Sequence, residues 1–186
     1  DKVVEMVSEE PIGDPCNGLS FSVGVSEAKN GKFRRTMEDV HTYVANFAER
    51  LDWGYFGVFD GHAGKETARW AGAHLHEMIY DSIQKEEFAD LRETLNKAFV
   101  NADKEIANLN GVGQSGATAA VAVLRWEVEG DLLNLPNDDP NIKDETNQGP
   151  FDFIPTDKHK RMLYTANAGD SKIVLCRKGK PLCLTY

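Results

Sequence analysis

Gly54-Tyr55-Phe56-Gly57-Val58-Phe59 runs directly into Asp60-Gly61-His62-Ala63-Gly64, and this junction decides how the chain folds. Tyr55 to Phe59 is continuously apolar, the pattern of a strand buried on both faces. From Gly64 onward the period changes. Ala68, Ala71, Leu75, Met78 and Ile79 recur at three- and four-residue steps, which predicts an amphipathic helix over 64–82. A strand therefore gives way to a helix across a turn holding a carboxylate, a glycine and a histidine. Asp60 leaves a dry strand, where a carboxylate is costly unless it is paired, binds a cation or caps the helix that follows. Gly61 lets the backbone come close and can offer its carbonyl as a hard oxygen ligand.

Working outward toward the N-terminus, a second strand is predicted at about 40–47. Another is expected at 19–26, where Leu19, Phe21, Val23 and Val25 alternate with polar residues. Residues 1–18, with Pro11, Gly13, Pro15 and Gly18, read as a mobile lead-in. Toward the C-terminus, Leu91, Leu95, Ala98, Phe99, Ala102, Ile106 and Leu109 form one helical stripe. Asp90 stands at the N-cap with Glu93 three residues on, and Gly111 marks the end. Strands follow at about 114–126, 161–167 and 172–177, and Lys178-Gly179-Lys180 turns the last one into a hairpin. Between about 127 and 160 acidic and turn-forming clusters dominate, which predicts a mobile acidic insertion. The order of strands and helices gives an α+β fold, with helices packed against antiparallel sheet.

The net charge of -9 argues against nonspecific nucleic-acid binding. The longest apolar run, Gly116 to Leu124, is far short of a membrane span of roughly 20 residues and reads as a buried strand. The first residues have neither the basic nor the apolar region of a secretory signal. Cys16, Cys176 and Cys183 show no metal-binding spacing. Three sparse thiols suit a cytoplasmic or nuclear setting, with Cys176 and Cys183 buried in strands and Cys16 exposed.

Three polar stretches interrupt core-like sequence. They are Arg34-Arg35-Thr36-Met37-Glu38-Asp39, Asp60-Gly61-His62, and Ala168-Gly169-Asp170-Ser171. Each has an ordinary explanation: a solvated acidic pair opposite two arginines, a helix cap, a polar tight turn. His62 could be a proton donor, a ligand or a surface histidine, and on its residues alone the surface reading is favoured, while His74 and His76 lie two residues apart on a helix and cannot chelate together. Oxygen-only donors suit Mg²⁺ or Mn²⁺ rather than zinc.

The order of the motifs changes this balance. Arg34 to Asp39, Gly57 to Gly64, Ser115-Gly116-Ala117-Thr118-Ala119-Ala120, and Thr165 to Ser171 occur in a sequence that resembles the protein phosphatase 2C family of metal-dependent serine/threonine phosphatases. The resemblance covers about 19–186 and is similar to fungal members over Thr36–Phe47 and Leu51–Gly64. It implies an antiparallel β-sandwich flanked by helices, with two ions, Mg²⁺ or Mn²⁺, at one end of the sheets. It also implies that Asp60 bridges both ions, that the Gly61 carbonyl ligates one, and that Glu38 and Asp39 hold metal-bound waters or orient the site from behind the ligands. Asp170 would belong to a weaker metal position. Arg34, with Arg35 as the register alternative, would grip the phosphate, and His62 would protonate the leaving serine or threonine oxygen.

Family members carry two more metal-binding aspartates in a C-terminal half, and this sequence stops at Leu184-Thr185-Tyr186. The resemblance therefore implies an incomplete sandwich, weak metal binding, little turnover by this chain alone, and association through uncovered strands as a dimer or strand-exchanged pair. Phosphorylated proteins are the implied substrates, stress-pathway MAP kinases among them. The alternative is a phosphoprotein-binding module without turnover.

Overall fold

The computed structural model describes residues 19–50, 52–85, 90–128 and 157–186. The lead-in 1–18, with Cys16, and most of the 127–160 insertion lie outside the described residues. Strand β1 (Val40–Ala45) pairs antiparallel with β2 (Gly54–Phe59) in the register Val40↔Phe59 to Ala45↔Gly54. A tight turn of 3-10 helix, Phe47–Glu49, lies between them. After β2 come a two-residue strand β3 (Gly61–His62) and the helices α1 (Glu66–Lys85) and α2 (Leu91–Ala107). Then follow β4 (Gly116–Ala117), β5 (Ala119–Val128), β6 (His159–Ala168) and the hairpin β7 (Val174–Arg177) with β8 (Lys180–Cys183). The main sheet has the order β1-β2-β5-β6, antiparallel throughout, while β3-β4 and β7-β8 form separate pairs. This is the α+β architecture read from the sequence, with antiparallel sheets and two helices.

The period-2 geometry of strands puts Tyr55, Gly57 and Phe59 on one face with Val121 and Val123 of β5. That face meets Ala68, Ala71, Leu75 and Ile79 of α1 and Leu91, Leu95 and Ala98 of α2, forming one buried core. Each fully buried residue of Leu, Ile or Phe size contributes roughly 1.5–3 kcal/mol. The helix starts have separate causes. Asp90 caps α2 by accepting a hydrogen bond from the Arg92 N–H at 2.9 Å. Helix α1 is capped from a distance: Ser115 Oγ accepts from the Thr67 N–H at 3.2 Å, and Thr67 Oγ1 donates to the Ser115 carbonyl at 2.8 Å.

Several expectations are corrected. Tyr55 to Phe59 is covered on one face only: Val58 is 51% exposed, because Phe56 and Val58 point away from the helices. On that same face Tyr43 and Leu163 are each 39% exposed. Residues 19–26 form no strand. Ser20 spends its backbone N–H on the Asp52 carboxylate, and Phe21 packs edge-on against Phe56 instead of entering a ladder. The strand expected at 114–126 breaks at Thr118. Helix α2 stops at Ala107, before Leu109 and Gly111, where Asn108 closes it by donating to the carbonyls of Glu105 and Ile106. Cys176 and Cys183 are free and exposed rather than buried, because all eight residues of β7 and β8 are exposed. The hairpin itself forms as expected, with positive φ at Lys178 (52°) and Gly179 (73°) across its two-residue turn.

Candidate functional site

Asp39 precedes β1 and Asp60 follows β2. Since Val40 pairs with Phe59, the register delivers both carboxylates to the same end of the sheet. There the two carboxyls lie close enough for the charge of Asp60 to act on Asp39. The carboxyl of Asp39 is held above its usual range by burial first, then by the charge of Asp60. Glu27 adds to the effect and the Arg34 guanidinium opposes it. A dry-strand carboxylate that needs a partner thus has another acid as its neighbour.

Helix capping does not account for Asp60, because α1 begins only at Glu66. The backbone of Asp60 is tied to Thr118 instead: the Thr118 N–H donates to the Asp60 carbonyl at 2.9 Å, and the Asp60 N–H donates to Thr118 Oγ1 at 3.3 Å. Gly61 is required where it stands, since a Cβ there would collide with the Glu38 carbonyl and lie 3.2 Å from Ala68 Cβ. Glu38 turns toward the Asp60–Gly64 turn rather than toward the acid pair. Its Oε1 accepts from Thr36 Oγ1 at 2.9 Å and its Oε2 from the Gly64 N–H at 3.4 Å.

His62 is exposed and sits in β3 opposite Gly116 of β4. Its ring lies against Gly116, where an added Cβ would strike Nε2 and come within 2.7 Å of Cε1. Arg34 is exposed in a turn closed by Asn30, whose carbonyl accepts from the N–H groups of Phe33 at 2.9 Å and Arg34 at 3.1 Å. Arg35 is exposed beside it. Asp170 is exposed in the turn after β6, and the next residue reaches the Asp60 end, with Ser171 Oγ 2.6 Å from Thr118 Oγ1. The structure thus draws Asp39, Asp60 and Arg34 into electrostatic contact, and links the Asp170 turn to Asp60 through Thr118. Among the described residues there is no group of three or more His, Cys, Asp or Glu side chains that could hold a metal ion.

Sequence reading included Ser115 and Thr118 in a motif but gave neither a role. Both are polar residues in a run of small ones, Ser115-Gly116-Ala117-Thr118-Ala119, and that interruption was the available signal. The buried Asp52 cluster at the other end of β2 carried no local signal.

Comparison with known proteins supplies the family. The protein phosphatase 2C family profile matches residues 23–128 and 150–186. The Saccharomyces cerevisiae protein named protein phosphatase 2C homolog 1 is 52% identical over 168 residues, covering 90% of this chain and 53% of the relative. The Schizosaccharomyces pombe protein of the same name is 32% identical over 178 residues, covering 95% and 43%. Protein phosphatase 1B of Rattus norvegicus is 28% identical over 180 residues, covering 88% and 36%. The chain spans about half the length of the curated relatives it matches most extensively. With a fold of antiparallel sheet and paired helices that agrees with this match, the chain belongs to the protein phosphatase 2C family.

Proposed function

We propose that this chain carries the acid pair, phosphate anchor and proton donor of a phosphatase that hydrolyses phosphoserine and phosphothreonine in proteins by attack of water. The observation that carries the reading is the Asp39–Asp60 pair. Two carboxylates brought by the Val40↔Phe59 register to one exposed sheet end repel each other when both ionise, and a hard divalent cation removes that repulsion. The donor set fits Mg²⁺ or Mn²⁺: it is all oxygen, it is open to water, and it leaves most of an octahedral shell to waters and backbone carbonyls. Asp39 and Asp60 would hold the ion, with the Gly61 carbonyl and Asp170 as further donors and Glu38 bracing the turn. Two ions are expected in the complete protein. When bound, such ions neutralise a phosphate dianion and make hydroxide available near neutral pH.

The chain's own residues do the rest. Arg34, exposed beside the pair, offers a planar fork that matches two phosphate oxygens. His62, held against Gly116, delivers a proton to the serine or threonine oxygen as it leaves, a role that typically contributes ~10²–10⁴ in rate. This chain alone is proposed to bind the cation weakly and to turn over little.

Substrates are phosphorylated proteins, with stress-pathway MAP kinases proposed on the likeness to fungal relatives, in the cytoplasm or nucleus. The open sheet face at Tyr43, Val58 and Leu163, flanked by the edge strands β1 and β6, supports self-association of this chain. Light scattering at rising concentration checks that expectation, and a stable monomer would refute it.

The functional test compares hydrolysis of a phosphothreonine peptide by the full-length protein and its Asp60→Asn variant across a Mn²⁺ titration. Manganese-dependent turnover that vanishes in the variant is the expected result. Turnover that is indifferent to chelator and to Asp60 would end the proposal.

A further inference from the structure

Thr118 occupies the single-residue gap between β4 and β5, just past the last rung of the ladder, Ala119↔Ala168. Its backbone N–H and side-chain hydroxyl grip both polar groups of the Asp60 backbone, at 2.9 and 3.3 Å. The same hydroxyl meets Ser171 Oγ at 2.6 Å. Its methyl packs against the turn carrying Asp170, since a Cβ at Gly169 would lie 2.8 Å from Thr118 Cγ2. One side chain therefore touches two loops that are far apart in sequence, each bearing an exposed carboxylate of the candidate site.

The hydrogen bonding is consistent with that double duty. Thr118 Oγ1 accepts from the Asp60 N–H and still has one proton to give and one lone pair to share, enough for either direction of the Ser171 bond. Valine would fill the same space and keep the methyl contact, but would lose both hydroxyl bonds. Serine would keep the bonds and lose the methyl.

We propose that Thr118 is a positioning residue for the cation site, a staple that fixes the Asp60 backbone against the Asp170 turn with Ser171 as its second anchor. The inference rests on the metal-site reading above and goes beyond it, because a threonine outside the ligand set sets how well the ligands are presented. Groups that orient metal ligands in this way are typically worth 10–100-fold in metal affinity.

The test uses Mn²⁺ alone with the chain as it stands. Apparent affinity is read from the broadening of the Gly61 and His62 amide signals during titration, which remains measurable for weak binding. Thr118→Val is expected to weaken Mn²⁺ binding by roughly 10–100-fold, while Thr118→Ser stays close to the parent chain. Ser171→Ala is expected to weaken it in the same direction by less. Equal affinity in Thr118→Val and the parent, or equal loss in the valine and serine variants, would overturn the staple. Should the valine variant fail to fold, Ser171→Ala decides, and an unchanged affinity there refutes the bridge. Asp60→Asn separates the two claims. If it binds Mn²⁺ as the parent does, the metal-site reading itself has failed, whatever Thr118 does.

Discussion

The two ends of β2 carry aspartates in opposite electrostatic states. Asp52, just before the strand, is 5% exposed and accepts from the Ser20 N–H at 2.8 Å, Ser20 Oγ at 2.5 Å, Trp126 Nε1 at 2.7 Å and Arg161 Nη1 at 2.6 Å. Burial alone would push its carboxyl up, yet these donors outweigh it and hold Asp52 below the usual range. Asp60, just after the strand, is exposed and faces another acid, whose carboxyl is pushed up. One end is a closed account of donors and acceptors that holds the sheet to the segment before it. The other is left uncompensated, and it is this arrangement on which the proposed cation site rests.

The largest effect expected from this contrast is in stability. Asp52→Ala leaves the Arg161 guanidinium, the Trp126 N–H and the Ser20 groups without their acceptor. Removing one partner of a buried ion pair costs about 3–5 kcal/mol. Asp60→Asn removes a repulsion instead, so the metal-free chain should be as stable as the parent or more so. Urea denaturation of the two variants side by side measures the difference. A Asp52→Ala loss no larger than that of Asp60→Asn would dissolve the distinction between the two ends.

This contrast also marks the limit of what was legible. Both helices, the hairpin and the order of the polar motifs could be read directly, because helical period, an N-cap and a Lys-Gly turn are local signals. Asp39 and Asp60 could be named, and the Val40↔Phe59 register explains why residues 21 apart in sequence meet. The Asp52 cluster could not be read, since its partners lie 32, 74 and 109 residues away and no short pattern encodes them. The alternation at 19–26 looked like a strand for the same reason. Phe21 is packed, but against the sheet and under Arg161, whose guanidinium carbon lies 5.6 Å from its ring centre. Whether Val58 and the β7–β8 cysteines are covered depends on neighbouring layers, which a strand's own residues do not report.

A middle-sized effect sharpens the functional end. Gly116→Ala adds one methyl where the His62 ring lies, and the flexible side chain must yield before the paired backbone does. A displacement approaching 1 Å costs on the order of 10²-fold in turnover. The expected outcome in the full-length protein is a fall in kcat of about that size, with Mn²⁺ affinity unchanged because Asp39 and Asp60 are untouched. If kcat survives and metal binding falls, the histidine is not the group that Gly116 serves.

The smallest effect is one of pH, and the two ends should pull in opposite directions. Asp52 has a depressed folded-state carboxyl, so its stabilisation is present above the unfolded-state value near 3.9 and is lost as pH falls through the lower folded value. Asp39 is the reverse. Its raised carboxyl keeps a proton in the folded chain that the unfolded chain has already released, so stability declines as pH rises from about 3.9 through the raised value. Asp39 is exposed, and solvent screening limits this contribution to well under about 1 kcal/mol. Asp39→Asn should therefore raise the metal-free denaturation midpoint slightly at pH 7, have little effect at pH 3, and make the loss of stability on acidification steeper by leaving Asp52 unopposed. Added Mn²⁺ should stabilise the parent at pH 7 and less at pH 3, where the raised carboxyl of Asp39 holds its proton. A variant whose stability tracks the parent at every pH would mean that Asp39 and Asp60 do not repel each other.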